Sequence, residues 1–261
     1  MKYLRAFCIA LAMYSRLPVP NVRWDEESKQ VVLLLFPLVG VIESGLLYVL
    51  SKLLFAGKIA APLTAFLLTA APLVFTGGIH FDGFLDTVDA LGSWKKKEEK
   101  LAILKDVHAG SAAVLQGILL LLGSFAAWDT LLERGRAEGL LPQLLCSFLL
   151  SRALSALSIF LLPNARGAGT VYAFTAEKAR GAGQLVSLLY FLLGSAALFL
   201  TGTAVAGLGI LLAVLAAALY SAIRAWLSFG GMTGDLAGFL LTNCEAAAVF
   251  AAACISCIKS L

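Results

Sequence analysis

Three aspartates, Asp82, Asp86 and Asp89, stand four and three residues apart in the segment Gly77-Gly78-Ile79-His80-Phe81-Asp82-Gly83-Phe84-Leu85-Asp86-Thr87-Val88-Asp89. At about 100° per residue this spacing predicts a helix with all three carboxylates inside a stripe roughly 60° wide. Carboxylates crowded on one face repel and hold one another's protons. Beside a bilayer the arrangement is costlier still unless a positive charge balances it. A hard divalent cation supplies that charge: Mg²⁺ takes oxygen ligands, keeps some of its waters and bridges to substrate phosphates. Gly78 and Gly83 leave room for a substrate or a neighbouring helix against the backbone. The alternative reading is a solvated helix face with Asp82 as its N-cap.

Further candidates lie around the stripe. Asp106 precedes a glycine that opens an apolar stretch, and is either a further ligand or base that folds back on the stripe or a plain helix-end charge. His80 and His108 flank the acids and are general-base candidates. Gly230-Gly231-Met232-Thr233-Gly234-Asp235 is a glycine-rich turn into a helix, whose free N–H groups suit a phosphate. It lacks the lysine of a P-loop. There Asp235 either caps the helix or reaches a metal. Arg16, Arg152 and Arg166 carry the guanidinium geometry that grips phosphate in a fork; the alternatives are snorkelling anchors or ion-pair partners. Arg152 falls within an apolar span and needs a partner, and Glu43 and Glu245 are carboxylates in apolar surroundings.

The elements that must position these groups are dictated by composition. The chain has 261 residues, 60% of them hydrophobic and 14% charged, with mean hydropathy +0.91. A soluble domain carries about 25% charged residues, so there is too little polar surface here to coat a water-soluble globule. We read an all-α, polytopic integral membrane helix bundle forming a single domain over residues 1–261. Seven apolar stretches are long enough to span: Val31–Phe55, Ile59–Phe75, Ser111–Leu131, Leu140–Leu162, Gln184–Thr201, Ala204–Phe229 and Leu236–Ile258. Phe7–Met13 is too short to span and reads as an interfacial anchor. With these spans, 14 of the 20 basic residues fall on the side of the N-terminus and of the loops at Thr76–Gly110, Pro163–Gly183 and Arg224–Asp235. The positive-inside rule places that side, and the acids with it, in the cytoplasm. Lys95–Lys100 reads as a surface facing lipid headgroups. No basic stripe interleaved with aromatics appears, so nucleic acid is not an expected partner. The five cysteines, including Cys254-x-x-Cys257, read as small buried hydrophobes.

The motifs together resemble the cobalamin synthase (adenosylcobinamide-GDP ribazoletransferase) family. The resemblance rests on Arg16-Leu-Pro-Val-Pro20, Phe36-Pro-Leu-Val-Gly40, the Gly77–Asp89 block, Lys105-Asp106 with Gly110, Ser151-Arg152, Ala165-Arg166-Gly167 and Gly230-Gly-x-Thr-Gly-Asp235. It runs through essentially the whole chain. Where the family usually has Asp-Ser-Arg, Val107-His108 follow Asp106 here. The resemblance implies a Mg²⁺-dependent enzyme of the inner membrane with its site facing the cytoplasm. Its substrates would be adenosylcobinamide-GDP and α-ribazole or its 5′-phosphate, giving adenosylcobalamin or its 5′-phosphate and GMP. On this reading Asp82, Asp86, Asp89 and Asp106 hold metal, and Asp82, Asp86, Asp106 and His80 serve the chemistry. Arg16, Arg152, Arg166, Gly78, Gly83, Thr233, Gly234 and Asp235 bind substrate. Membrane lipid is a further partner, and the sequence is compatible with a homo-oligomer. Two rivals are a CDP-alcohol phosphotransferase-like enzyme, which the Phe84-Leu85-Asp86-Thr87 sequence after Asp82-Gly83 disfavours, and a cation-coupled transporter.

Overall fold

A computed structural model describes residues 2–106, 108–135, 137–167 and 177–258, without the side chains of 26 and 177–179. Val107, and residues 168–176 of the Pro163–Gly183 loop, lie outside the described residues. Among these there are ten helices and no strand. They are α1 (Lys2–Tyr14), α2 (Glu26–Ala56), α3 (Ala61–Thr76), α4 (Ile79–Gly92), α5 (Lys97–Ile103), α6 (Ser111–Glu133), α7 (Ala137–Leu161), α8 (Glu177–Leu200), α9 (Ala204–Phe229) and α10 (Gly234–Ser256).

Six of them, α2, α6, α7, α8, α9 and α10, are long and apolar enough to cross a membrane. The seventh expected span differs. Helix α3 has 16 residues, roughly 24 Å of rise against a hydrocarbon core of about 30 Å. It stops at Gly77 and Gly78, both left-handed (φ 65° and 80°), and the chain turns by 94° into α4. A multi-pass membrane protein results, in which α4 turns back against the first turns of α6 and α10.

The charge pattern divides the loops into two sets, and the fold gathers each set at its own end. At one end Arg16 N–H donates to Phe75 O (2.7 Å), Met232 N–H to Pro163 O (2.8 Å) and Ala165 N–H to Met232 O (3.0 Å). At the other, Gln143 Nε2 donates to Leu198 O and Thr203 O (both 2.9 Å), and Lys52 pairs with Glu138.

Helix α7 is the axis. Ser147, Ser151, Ser155 and Ser158 are all buried along it, and small residues let membrane helices approach closely where lipid gives no hydrophobic drive. Ser155 Oγ donates to Ala237 O of α10 at 3.1 Å. Leu141, Leu144 and Leu150 of α7 pack with Leu131, Leu198 and Ile210 in one cluster. A second cluster joins α1 and α2 to Phe160 and Phe229. Helix α1 is thus more than an interfacial anchor: Ala6, Ile9, Ala10 and Leu11 are buried in that cluster while Tyr3 and Leu4 stay exposed. Among the cysteines only Cys244 is buried. Cys254 and Cys257 are exposed and free, which corrects the expectation of a buried pair: at the end of α10 it is Ala252, Ala253 and Ser256 that face the bundle, and the two cysteines lie outside that face.

Candidate active site

The site begins with the break between α3 and α4. A Cβ at Gly77 would lie 2.0 Å from Arg16 Nε, so the left-handed glycine lets the arginine lie across the turn. Gly78 is the N-cap of α4 and provides no side-chain cap, leaving the first N–H groups of α4 facing outward with the positive end of the helix dipole. Arg16, Gly77, Gly78 and Asp82 line a cleft of about 630 Å³. Among the described residues the Arg16 side chain has no ion-pair partner.

Helix α4 is two-faced. His80, Gly83, Phe84, Thr87 and Val88 are buried, while Asp82 is exposed and Asp86 and Asp89 are half-buried. A Cβ at Gly83 would meet Asp235 O at 2.7 Å and Asp235 Cα at 3.0 Å. Glycine therefore lets α4 cross directly over the first turn of α10. Thr233 caps α10, accepting from Leu236 N–H at 3.2 Å. Asp235, followed by no cap of its own, instead pairs with Arg166 Nη2 at 3.1 Å. Arg166 is held in turn by Leu104 O at 3.3 Å. A Cβ on Gly110, at the start of α6, would fall 2.1 Å from Asp89 Oδ1. That close approach puts Gly110 against the stripe; in the sequence it stands out as a glycine opening a span and as part of the Lys105-Asp106 motif.

Asp86 lies at the centre of the group. Partial burial, then the charges of Asp82, Asp235 and Asp89, push its carboxyl up to about 6 against the pull of Arg166. The donor set is oxygen only, as Mg²⁺ requires. No three His, Cys, Asp or Glu side chains among the described residues close on one point to hold an ion unaided. Mg²⁺ commonly uses one or two carboxylates and fills the remaining positions with water and substrate phosphate, a mode that one or two of Asp82, Asp86 and Asp89 suit.

The family model described as cobalamin-5-phosphate synthase matches residues 6–253. This chain belongs to the cobalamin-5-phosphate synthase family. Curated relatives named adenosylcobinamide-GDP ribazoletransferase include the protein of Lachnoclostridium phytofermentans, 33% identical over 94% of this chain and 92% of its own. That of Clostridium perfringens strain 13 is 32% identical over 93% and 95%, and that of Pseudomonas fluorescens Pf-5 is 36% identical over 95% and 98%. No solved structure matches.

In this cobalamin-5-phosphate synthase family member, then, the fold brings together Asp82, Asp86, Asp89, Asp235, Arg166, Gly83, Thr233 and Gly234, with Arg16 and Gly78 beside them. Three expected residues have other partners in this structure. Asp106 is exposed on its loop, where the His108 ring (2.8 Å) and backbone N–H (3.0 Å) bond it and hold its carboxyl below the usual carboxylate range. His80 points from the opposite face of α4 into the interior, stacked on Tyr14 with ring centroids 5.9 Å apart. Arg152 is fully buried and bound to Glu43 and Glu245, so its guanidinium does not reach the stripe.

Proposed function

We propose that the protein transfers the adenosylcobinamide-phosphate group of adenosylcobinamide-GDP to α-ribazole or its 5′-phosphate, releasing GMP, at the cytoplasmic face of the inner membrane. The observation that carries this reading is the meeting of Asp82, Asp86 and Asp89 with the Asp235–Arg166 pair at one end of the bundle. Phosphoryl transfer asks for positioning and charge neutralisation more than for covalent help from the protein. When bound, Mg²⁺ would neutralise phosphate oxygens and favour departure of GMP. Asp82, Asp86 and Asp89 would hold it between them, with water and phosphate oxygens completing its shell. Arg16, with no ion-pair partner among the described residues and lying over the Gly77–Gly78 turn, would draw the diphosphate into the cleft beside the open N-terminus of α4. Arg166, already fixed by Asp235 and Leu104 O, offers its remaining N–H donors to a second phosphate. Arg152, His80 and Asp106 are not needed for these steps in the geometry described.

The cytoplasmic placement rests on the excess of basic residues on the loops that gather at this end. The names of the relatives support the choice of substrates. The test is GMP release by the purified protein in lipid nanodiscs given Mg²⁺ and both substrates. Release that requires both substrates and Mg²⁺ is the expected result. Turnover with a CDP-alcohol instead, or cation uptake into proteoliposomes with no GMP formed, would overturn the proposal.

A further inference from the structure

Beneath α4, in the middle of the bundle, the structure joins three charged residues that the sequence leaves scattered. Arg152 of α7 binds Glu43 of α2 through Nη2, and Glu245 of α10 through Nη1 at 2.7 Å. Ser151 Oγ also donates to Glu245, at 3.0 Å. The side chains of Arg152 and Glu43 are 0% and 1% exposed. A Cβ on Gly40 would fall 2.8 Å from Arg152 Cδ, so this glycine is what admits the arginine between α2 and α7. The rings of Phe36 and Phe148 flank the guanidinium, each 5.9 Å away.

The charges do not balance. Two carboxylates face one guanidinium, and Glu43 Oε1 is buried with no partner among the described residues. The groove beside Glu43 is otherwise walled by Leu, Ala, Val and Phe side chains, which offer no donor. On the other side a partly open pocket of about 90 Å³ reaches Glu245, Thr242 and His80 and leaves the Glu245 side chain 17% exposed, with room for about three waters. His80 Nε2 is likewise buried and unpartnered. The other ionisable groups around the triad are Tyr14, stacked on His80, and Cys244 beside Glu245. Neither is a fixed cation, and α3 contributes no ionisable residue. An uncompensated negative charge is not tolerated at this depth.

We infer that the Glu43–Arg152–Glu245 triad is a binding site for one monovalent positive charge, a proton or a sodium ion. The site is separate from the carboxylate stripe and does not depend on the reaction proposed above. The experiment uses the whole protein in nanodiscs, with thermal midpoints measured in sodium chloride and in choline chloride. In parallel, infrared spectra are taken at mildly alkaline pH on protein labelled with carbon-13 glutamate. If sodium is the occupant, sodium raises the midpoint by roughly 5–10 °C at about a hundred times its Kd, and Glu43→Gln abolishes the dependence. If a proton is the occupant, sodium has no effect, and a carboxylic-acid band shifts with the glutamate label and is lost in Glu43→Gln or Glu245→Gln. The labelled native protein decides the second case even where a variant fails to fold. Absence of both the sodium response and the labelled carboxylic-acid band would overturn the inference.

Discussion

The carboxylate stripe and the buried triad are built from the same parts, acids and an arginine, and differ in what surrounds them. Around α4 three aspartates and Asp235 face one arginine, Arg166, which is ion-paired to Asp235, and Asp82 stays open to solvent. In the triad two glutamates share an arginine that solvent does not reach. The stripe carries the larger charge imbalance and tolerates it because water screens it, which leaves its oxygens available to a metal and a phosphate. The triad carries the smaller imbalance, with Arg152 committed to a structural bond. Position relative to water, more than residue type, separates a reactive group of acids from a clasp.

Substitutions can break this contrast at either end. The largest effect is expected from Arg152→Ala, which leaves the buried Glu43 carboxylate and the partly buried Glu245 facing each other without their cation. It should cost roughly 3–5 kcal/mol of stability, read as loss of folded protein in a denaturation series; an unchanged midpoint would show the triad is not buried as described. Next comes Asp86→Asn, expected to lower turnover by about 10²–10³-fold while the thermal midpoint stays near that of the parent. A fall in stability matching the fall in turnover would move Asp86 from the chemistry to the scaffold. Gly83→Ala drives a methyl group into Asp235 O and should cost about 1–3 kcal/mol, separating α4 from α10 and lowering activity with it.

The acidity of Asp86 sharpens the comparison further. Its carboxyl is raised to about 6, and a metal ligand must be ionised. Mg²⁺ should therefore bind progressively more weakly as pH falls through about 6, by up to about tenfold per unit, and regain affinity above it. Mg²⁺ titrations of GMP release at several pH values measure this, and a flat response would remove Asp86 from the ligands. The smallest effect belongs to Lys52→Ala. This pair with Glu138 is 3.5 Å long and 46% and 63% exposed, and its loss should change stability by only about 0–1 kcal/mol, in contrast to Arg152.

Much of the site was legible because its signals are local. The spacing of Asp82, Asp86 and Asp89 requires only that the segment be helical, and α4 is. The run Gly230–Asp235 marks a helix start, although the capping falls to Thr233 and not to Asp235. The end of α3 was legible as well, since the apolar stretch Ile59–Phe75 stops one residue short of Thr76; what hydropathy does not carry is the 94° turn made by two left-handed glycines. Arg152, Glu43 and Glu245 each stood out as a charge in apolar sequence. Nothing local says that they bind one another.

By itself the sequence determined the helices, their apolar lengths, the sorting of basic loops to one side and the acidic stripe on α4, since all of these follow from periodicity and composition within one segment. The tertiary structure alone decided which acid meets which arginine. Glu43 and Arg152 are 109 residues apart, and Arg152 and Glu245 are 93 apart. Their partnership depends on how three helices cross, which is set by the small residues along α7 and the glycines that let backbones and side chains pass. Arg166 and Asp235 meet for the same reason, once the chain ends of α7 and α10 are bonded side by side. Charges in a bilayer must find partners, and which partners are within reach is settled by packing.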